Sequence, residues 1–323
     1  MAADVSIGID LGGTNLRFGL VDQSAQVVAR FRTGTEAAKG VKPVISRLKR
    51  GISTLAAKAE AAGHRVIGIG IGVPGIISAG EGVVEVSPNL PGWVDIPLGK
   101  ILSEAFPHPV FVENDANAYA LGEYRFGAGR GAKSLLCVTL GTGVGGGIIL
   151  DGKIWRGANG MAGEIGHVTV DPNGPRCPCG NSGCLERYSS ATAIVETARA
   201  ALLKGRKSSL TDPFKEDPAS LTAEAVDKAA RAGDALAIKI YADAGRYLGI
   251  ALASVINLLN IEMIVIGGGL AGAWDLFIGS VKEEIESRAF EIPAKSCEIL
   301  PGALGDDAGI LGAASLSLKS RKA

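Results

Sequence analysis

Three observations predict an α/β fold. Strand-like apolar runs alternate with helical repeats along the whole chain. Glycine turns, rather than long linkers, punctuate the alternation. A plan of strand, glycine turn and returning strand opens the chain at Val5–Asp22 and comes back at Ser134–Leu150. That return suggests a duplicated α/β unit with a nucleotide between the halves.

The elements follow in order. VSIGIDLGGTNLRFGLVD reads as a β-hairpin, with Gln23 to Ala25 starting another turn. Val44, Ile45, Leu48, Ile52 and Leu55 recur at helical spacing, and RVIGIGIGV (Arg65 to Val73) reads as a buried strand ended by Pro74-Gly75. A helix over Leu98 to Phe106, the strand PVFVEND and a helix over Ala116 to Phe126 come next. SLLCVTL (Ser134 to Leu140) is a strand, GTGVGGG a glycine turn, and Ile148 to Leu150 a returning strand. Long helices are expected over Tyr188 to Lys204 and Leu221 to Leu259, a strand over Glu262 to Ile266, and a helix over Trp274 to Arg288. Lys207 to Ala219, polar and with two prolines, reads as a surface loop.

The chain has 323 residues, enough for two domains, and 47% of them are apolar. Its 33 basic and 33 acidic residues balance, so nothing marks a nucleic-acid or membrane-surface binder. The start, MAADVSIGID, has no basic region followed by an apolar core, which leads to an expectation of a cytoplasmic protein. The nearly uncharged window Gly249 to Trp274 contains Asn257, Asn260, Glu262 and three consecutive glycines, and reads as a buried helix then a buried strand. Five cysteines, an odd number, argue against a disulfide framework.

DLGGTN (Asp10 to Asn15) offers backbone N–H groups that can approach phosphate, a Thr14 hydroxyl, and Asp10 for a hydrated Mg²⁺. GTGVGGG (Gly141 to Gly147) repeats the glycines and the Thr142 hydroxyl. Either loop alone could be a tight hairpin; the pair favours phosphate. GTGVGG and GGGLAG both match G-x-G-x-x-G, but the dinucleotide fingerprint needs a strand before and a helix after. The first match runs into GIILDGKI, which alternates like a strand, and the second lies too late for a following βαβ unit. No G-x-x-x-x-G-K-[ST] occurs.

Asn114 and Asp115 fall where a buried strand gives way to a helix. Asp115 there has two readings, a helix N-cap or the carboxylate that takes the proton of an attacking hydroxyl in phosphoryl transfer. His167, Cys177, Cys179 and Cys184 supply four soft ligands within eighteen residues, as a closed tetrahedral Zn²⁺ site requires. Gly174, Gly180 and Gly183 let the backbone fold round one ion. Cys137 and Cys297 lie in apolar patterns and read as core thiols, and His64 and His108 as surface loop residues.

Taken together, DLGGTN, the END segment, LGTGVGGG, GEIGH (Gly163 to His167), CPCGNSGCLE and VIGGG resemble the ROK (repressor, open reading frame, kinase) family of sugar kinases, most closely its bacterial glucokinases. The resemblance runs in order along nearly the whole chain. It implies a two-lobed, actin-like ATPase fold of the hexokinase (ribonuclease H-like) type, with the active site in the interlobe cleft. The expected lobes are 1–117 with 305–323, and 118–304 carrying the zinc loop. The resemblance implies ATP-dependent phosphorylation of a hexose, with glucose at O6 first and N-acetylmannosamine, fructose or allose as alternatives. Asp115 would be the base. Asn89, from SPNLPGW, and Asn114, Asp115, Glu164, His167 and Glu186 would hold the sugar. ATP and Mg²⁺ would lie on Asp10, Gly12, Gly13, Thr14, Asn15, Gly141, Thr142, Gly143, Gly267, Gly268 and Gly269. A structural Zn²⁺ would sit on His167, Cys177, Cys179 and Cys184. The expected partners are sugar and ATP, with no nucleic acid and no membrane, in a homodimer or higher homo-oligomer. A sugar-sensing repressor of the family would carry an N-terminal helix-turn-helix domain, for which the nine residues before Asp10 leave no space.

Overall fold

The computed structural model describes residues 3–318. The chain forms two compact units, one from Met1–Cys137, Gly147–Gly163 and Gly302–Ala323, the other from Val138–Gly146 and Glu164–Pro301.

In the first unit, strands β1 (Asp4–Leu11), β2 (Asn15–Asp22) and β3 (Val27–Gly34) form an antiparallel meander. Helix α1 (Val41–Ala61) follows, then β4 (Arg65–Val73), which pairs parallel to β1. Strands β5 (Ile76–Ser78), β6 (Val83–Val86) and β7 (Val94–Ile96) make a small separate sheet. Helix α2 (Leu98–Ser103) leads to β8 (Val110–Asn114), parallel to β4, and then to α3 (Asp115–Phe126). The main sheet runs β3-β2-β1-β4-β8. Val44, Leu48, Ile52 and Leu55 of α1 are fully buried in one core with Ile7, Ile9, Phe18 and Ile69 of the sheet. Each such side chain contributes about 1.5–3 kcal/mol of burial.

The initial hairpin, α1, β4, β8 and α3 match the sequence expectation within a few residues. Strand β3 and the small sheet were not expected. β3 alternates half-buried and exposed residues and carries Arg30 and Arg32, and the strands of the small sheet have only three or four residues, too short to show a period.

Strands β9 (Leu135–Leu140) and β10 (Val144–Leu150) lie where the chain passes from one unit to the other, and β11 (Lys153–Trp155) pairs with β10 inside the first unit. β10 begins inside the glycine run, at Val144, earlier than the expected Ile148.

In the second unit, α4 (Glu186–Ser189) and α5 (Ala191–Leu203) replace the single helix expected over Tyr188 to Lys204. Ser190, extended at φ −92° and ψ 163°, breaks it and caps α5 by accepting the Ala193 N–H. Helix α6 (Thr211–Glu216) and a 3₁₀ turn (Pro218–Ser220) occupy the stretch expected as a loop. Here the Asp234 carboxylate gathers the Ser208 and Ser209 hydroxyls and the Ser209 N–H, which orders the approach to α6. Helices α7 (Ala223–Arg231) and α8 (Ala235–Leu259) divide the second long helical expectation at Gly233, whose φ is +90°, and at Asp234, the N-cap of α8. Strand β12 (Met263–Gly267), helices α9 (Trp274–Arg288) and α10 (Glu291–Ser296), and strand β13 (Glu298–Pro301), parallel to β12, complete the unit. The second five-stranded sheet has the order β11-β10-β9-β12-β13. No helix among the described residues is long and apolar enough to cross a membrane.

The chain then returns to the first unit as a terminal helix, Ala308–Ser315. It lies so close to α3 that a Cβ on Gly312 would stand 1.6 Å from the Ala118 carbonyl oxygen, and one on Gly122 2.2 Å from that of Ala308. The expected lobe boundary at residue 117 therefore falls inside α3, all of which belongs to the first unit.

This crossing yields a test with an internal control. Gly312→Ala is expected to lower stability by about 1–3 kcal/mol or more, because backbone faces backbone and no side chain can yield. Gly279→Ala, in α9 with nothing within 4 Å of the new methyl, is expected to be neutral or to gain about 0.5–1 kcal/mol. Denaturant midpoints of the two variants, measured side by side, check this.

Candidate active site

The first unit gathers its candidate residues at the C-terminal ends of adjacent parallel strands. Asp10, next to last in β1, lies opposite Gly72 of β4, and Val73 of β4 lies opposite Asn114 of β8. Open α/β sheets bind ligands at such strand ends. The DLGGTN turn is closed by the Gly12 N–H donating to Asn15 O at 2.9 Å. Thr35 braces it from outside, its hydroxyl on Gly12 O at 2.6 Å and its N–H on Thr14 O at 2.9 Å. Arg32 donates to the Asn15 side chain at 3.2 Å. Thr14 is exposed, and a Cβ on Gly13 would meet the Asn89 carbonyl at 3.3 Å, so Asn89 lies against this loop.

Asp10 is three-quarters buried and faces Arg17 at 3.5 Å. Burial pushes its carboxyl above the usual carboxylate range, the Arg17 charge opposes this, and Asp306 adds to it. Such a group gains from a cation placed beside it.

At the start of α3 the capping role falls to Asn114 and not to Asp115. The Asn114 side chain accepts the Asn117 N–H at 3.0 Å and donates to the Gly75 carbonyl at 3.0 Å. Asp115 is the first helical residue, half-buried, with Oδ1 accepting the adjacent Ala116 N–H at 2.9 Å.

The second unit gathers the rest. Gly141 to Gly143 turn between β9 and β10, with the Gly141 N–H on Gly143 O at 2.9 Å and Thr142 exposed. Three bonds tie this turn to the segment after the cysteines: Val144 N–H to Glu186 Oε2 at 3.0 Å, Ala191 N–H to Gly141 O at 2.8 Å, and Thr192 hydroxyl to Thr142 O at 2.8 Å. Gly267 ends β12, and Gly268, at φ +87°, brings its backbone against Leu140, just before the turn. The glycine segments 141–143 and 267–269 therefore lie side by side.

His167, Cys177, Cys179 and Cys184 present ligand atoms that all lie within 4.8 Å of one another. Cys179 Sγ and Cys184 Sγ are 3.6 Å apart, and Cys177 Sγ is 3.8 Å from His167 Nδ1. A tetrahedron with metal–sulfur bonds of about 2.3 Å has edges of about 3.8 Å, so the cluster fits Zn²⁺. The thiols also interact strongly. The Asn181 backbone and the neighbouring thiols hold Cys179 below the usual thiol value, while burial and the same neighbours push Cys184 up to about 12. Three thiolates this close would need a cation beside them. The loop is folded by its own backbone: Val170 and Gly183, Cys177 and Asn181, and Leu185 and Val168 are hydrogen-bonded pairs. At Gly183 a Cβ would stand 1.6 Å from Asp171 O, so only glycine lets the strands of the loop close. Tyr188 donates to Asp171 at 3.0 Å and stacks on Tyr247 of α8 at 3.8 Å, holding the loop to the unit's longest helix.

Glu164 and Glu186 flank the four ligands in sequence. Partial burial raises the Glu164 carboxyl above its usual value, His167 opposes this, and the Glu186 charge adds to it. Cys137 is fully buried and Cys297 nearly so, as expected of core thiols, while His64 and His108 are half-buried rather than fully exposed. The sequence reading passed over Glu113, Arg156 and Thr192. Glu113, an acid within a buried strand run, carried a visible signal; Arg156 and Thr192 lie in polar segments that show none.

Residues 6–320 match the profile described as ROK family. The chain is 39% identical over 95% of its length to a protein named glucokinase from Halalkalibacterium halodurans, covering 92% of that protein. It superposes on a ROK family glucokinase from Streptomyces griseus in complex with glucose and AMPPNP with a TM-score of 0.78, at 32% identity, over 97% of this chain and 98% of that one. It also superposes on a ROK family transcriptional regulator, a homologue of the Escherichia coli MLC protein, with a TM-score of 0.88, at 30% identity, over 98% of this chain and 78% of the regulator. The fold is the actin-like ATPase fold of these proteins.

One bound zinc per chain is the expected result of elemental analysis on protein purified without chelator. Cys179→Ser should lower that content and the thermal midpoint together, since binding free energy holds the loop folded. Cys297→Ser, outside the cluster, should leave the metal content unchanged.

Proposed function

The chain belongs to the ROK family, and from that premise we propose that it is an ATP-dependent hexose kinase that phosphorylates glucose at the 6-hydroxyl. The observation that carries this reading is the placement of Asp10, Asn114 and Asp115 at the ends of β1 and β8, with β4 between them. Two strand spacings separate Asp10 from Asp115, roughly 10 Å between backbones. That distance leaves room for a sugar hydroxyl beside one carboxylate and a phosphate-bound cation beside the other.

In this reading Asp115 takes the proton of the attacking hydroxyl. The first helical turn presents it, and the capping bond to the Asn117 N–H comes from Asn114. The backbone N–H groups of Gly12, Gly13, Gly141 and Gly143 and the hydroxyls of Thr14 and Thr142 cradle the phosphates, with Asn15 and Gly267 to Gly269 completing the nucleotide site. Asp10 would hold Mg²⁺ through water, and that ion would offset the charge on the transferring phosphoryl group. Asn89, Asn114, Glu164, His167 and Glu186 hold sugar hydroxyls. Zn²⁺ would be held by His167, Cys177, Cys179 and Cys184 and would supply rigidity to this loop. Nδ1 of His167 faces Cys177, which leaves Nε2 for a hydroxyl. Glu186 bonds the Val144 N–H with Oε2 and has Oε1 for the sugar, so it joins the sugar loop to the phosphate turn.

The relatives named glucokinase, matched over nearly their whole length, support the kinase chemistry. A second reading, a sugar-responsive regulator, is favoured by the TM-score of 0.88 to the transcriptional regulator. Turnover separates the two, since a sensor needs sugar binding and no phosphoryl transfer. A kinase for N-acetylmannosamine, fructose or allose is the alternative within the same chemistry.

Asp115→Asn is expected to leave glucose binding measurable while lowering kcat by about 10²–10⁴-fold. ADP release with glucose as acceptor measures this, and a near-wild-type kcat would overturn the assignment. Across glucose, mannose, fructose and N-acetylmannosamine, glucose should give the highest kcat/KM. Glu164→Gln should flatten that ranking, because an amide presents donors where the carboxylate accepted, while the exposed Glu216→Gln should not. A ranking left intact with uniformly reduced rates would show that Glu164 supports the loop without reading the sugar.

A further inference from the structure

One charged group outside the residues assigned above is almost fully buried. Glu113 is 2% exposed and sits on β8 immediately before Asn114. Its Oε2 accepts from Arg156 Nε at 2.8 Å and Nη2 at 2.6 Å. Its Oε1 accepts the Asn114 N–H and the Asn117 side-chain amide, each at 3.1 Å. The four acceptor positions of the carboxylate are thus filled. Asn117 in turn donates its own N–H to the Asn114 side chain. The carboxylate therefore closes a ring of hydrogen bonds around the last residue of β8 and the first turn of α3, and Asp115 stands inside that ring's span.

Stability alone gives no reason for this arrangement. Glu113 follows the apolar run Val110, Phe111 and Val112, and an apolar residue in place of a buried ion pair is often neutral or stabilising. What an apolar residue could not do is hold the Asn114 backbone and the Asn117 side chain at once. Arg156 comes from the stretch after β11, where its carbonyl accepts the Ala162 N–H at 3.1 Å, and its guanidinium is the only ion-pair partner of Glu113 among the described residues. Its planar fork meets Oε2 through two nitrogens, a geometry that lysine does not reproduce.

We propose that Glu113 and Arg156 are positioning residues for phosphoryl transfer: the buried Glu113 carboxylate, neutralised by Arg156, fixes the first turn of α3 so that Asp115 faces the acceptor hydroxyl. This rests on the reading of Asp115 as the base. Misplacement of a reacting group by an ångström costs on the order of 10²-fold in rate. Arg156→Ala is therefore expected to lower kcat by about 10–100-fold with little change in KM for ATP. Arg156 keeps 40% of its side chain exposed, so millimolar guanidinium ion can reach the gap and should restore part of the lost kcat. Arg156→Lys, which keeps the charge and loses the fork, should fall between wild type and Arg156→Ala.

The decisive measurement is kcat with ATP and glucose for wild type, R156A, D115N and R156A/D115N. If Arg156 acts through Asp115, the double variant should be no slower than D115N within about threefold. Losses that multiply, or an R156A kcat equal to wild type, would overturn the proposal and leave Asp115 as the base. A D115N variant with wild-type turnover would overturn both. Should R156A fail to fold, as read from its circular dichroism, the same cycle is run with R156K and with Glu113→Gln, where an R156K kcat equal to wild type also overturns the proposal.

Discussion

The approach of backbone to backbone around the terminal helix is the constraint on which the first unit depends. This helix is the last helix or strand among the described residues, yet it lies against β1, β4 and α3 at distances no side chain can occupy. A Cβ on Gly8 would stand 2.1 Å from Ile310 O, and one on Gly70 1.8 Å from Ala313 O. The contacts at Gly122 and Gly312 add the third side. Close packing of this kind transmits small shifts, so the strand end bearing Asp10 and the helix start bearing Asp115 are held to one another through the helix that touches both elements. A Cβ on Gly309 would meet the Asp10 carboxyl itself at 3.2 Å.

The second unit is held by a different means. Its cysteine loop is short of apolar residues and rich in turns, so it cannot be stabilised by burial. Backbone bonds, the Tyr188–Asp171 bond and the four-ligand cluster take that role. The loop's exit then runs directly into Glu186, Ala191 and Thr192, all three bonded to the turn at Gly141 to Val144. The Cys/His cluster and the Gly141 to Val144 turn are in this way parts of one piece of structure.

Charge in the first unit follows a related logic. Buried carboxylates are matched by donors according to what they do. Glu123, fully buried, accepts from the backbone of Ala128, Ala303 and Leu304 and so anchors the returning chain to α3. Glu113 is matched by Arg156 and two amides. Asp10, by contrast, has among the described residues a guanidinium at 3.5 Å and an acidic neighbour. The two structural carboxylates are fully compensated, whereas the one expected to meet a cation is not.

The sequence by itself determined the alternation of elements, because a strand buried on both faces and a helix with one apolar face leave different periods. β4, α1, α3 and α9 were legible in this way, and so were the glycine turns and the gathering of His167, Cys177, Cys179 and Cys184, which lie within eighteen residues and need no long-range folding to meet. It also determined that the two G-x-G-x-x-G matches do not build a dinucleotide fold. What only the tertiary structure decided was everything that depends on residues distant in sequence. Local spacing could not say that Asn114 rather than Asp115 caps α3, since both are good caps and the choice turns on Gly75 O, 39 residues away. Nor could it reveal that α3 belongs wholly to the first unit, which follows from its contact with a helix almost two hundred residues later, or that Arg156 answers Glu113, a pairing set by the burial of one charge and the reach of another.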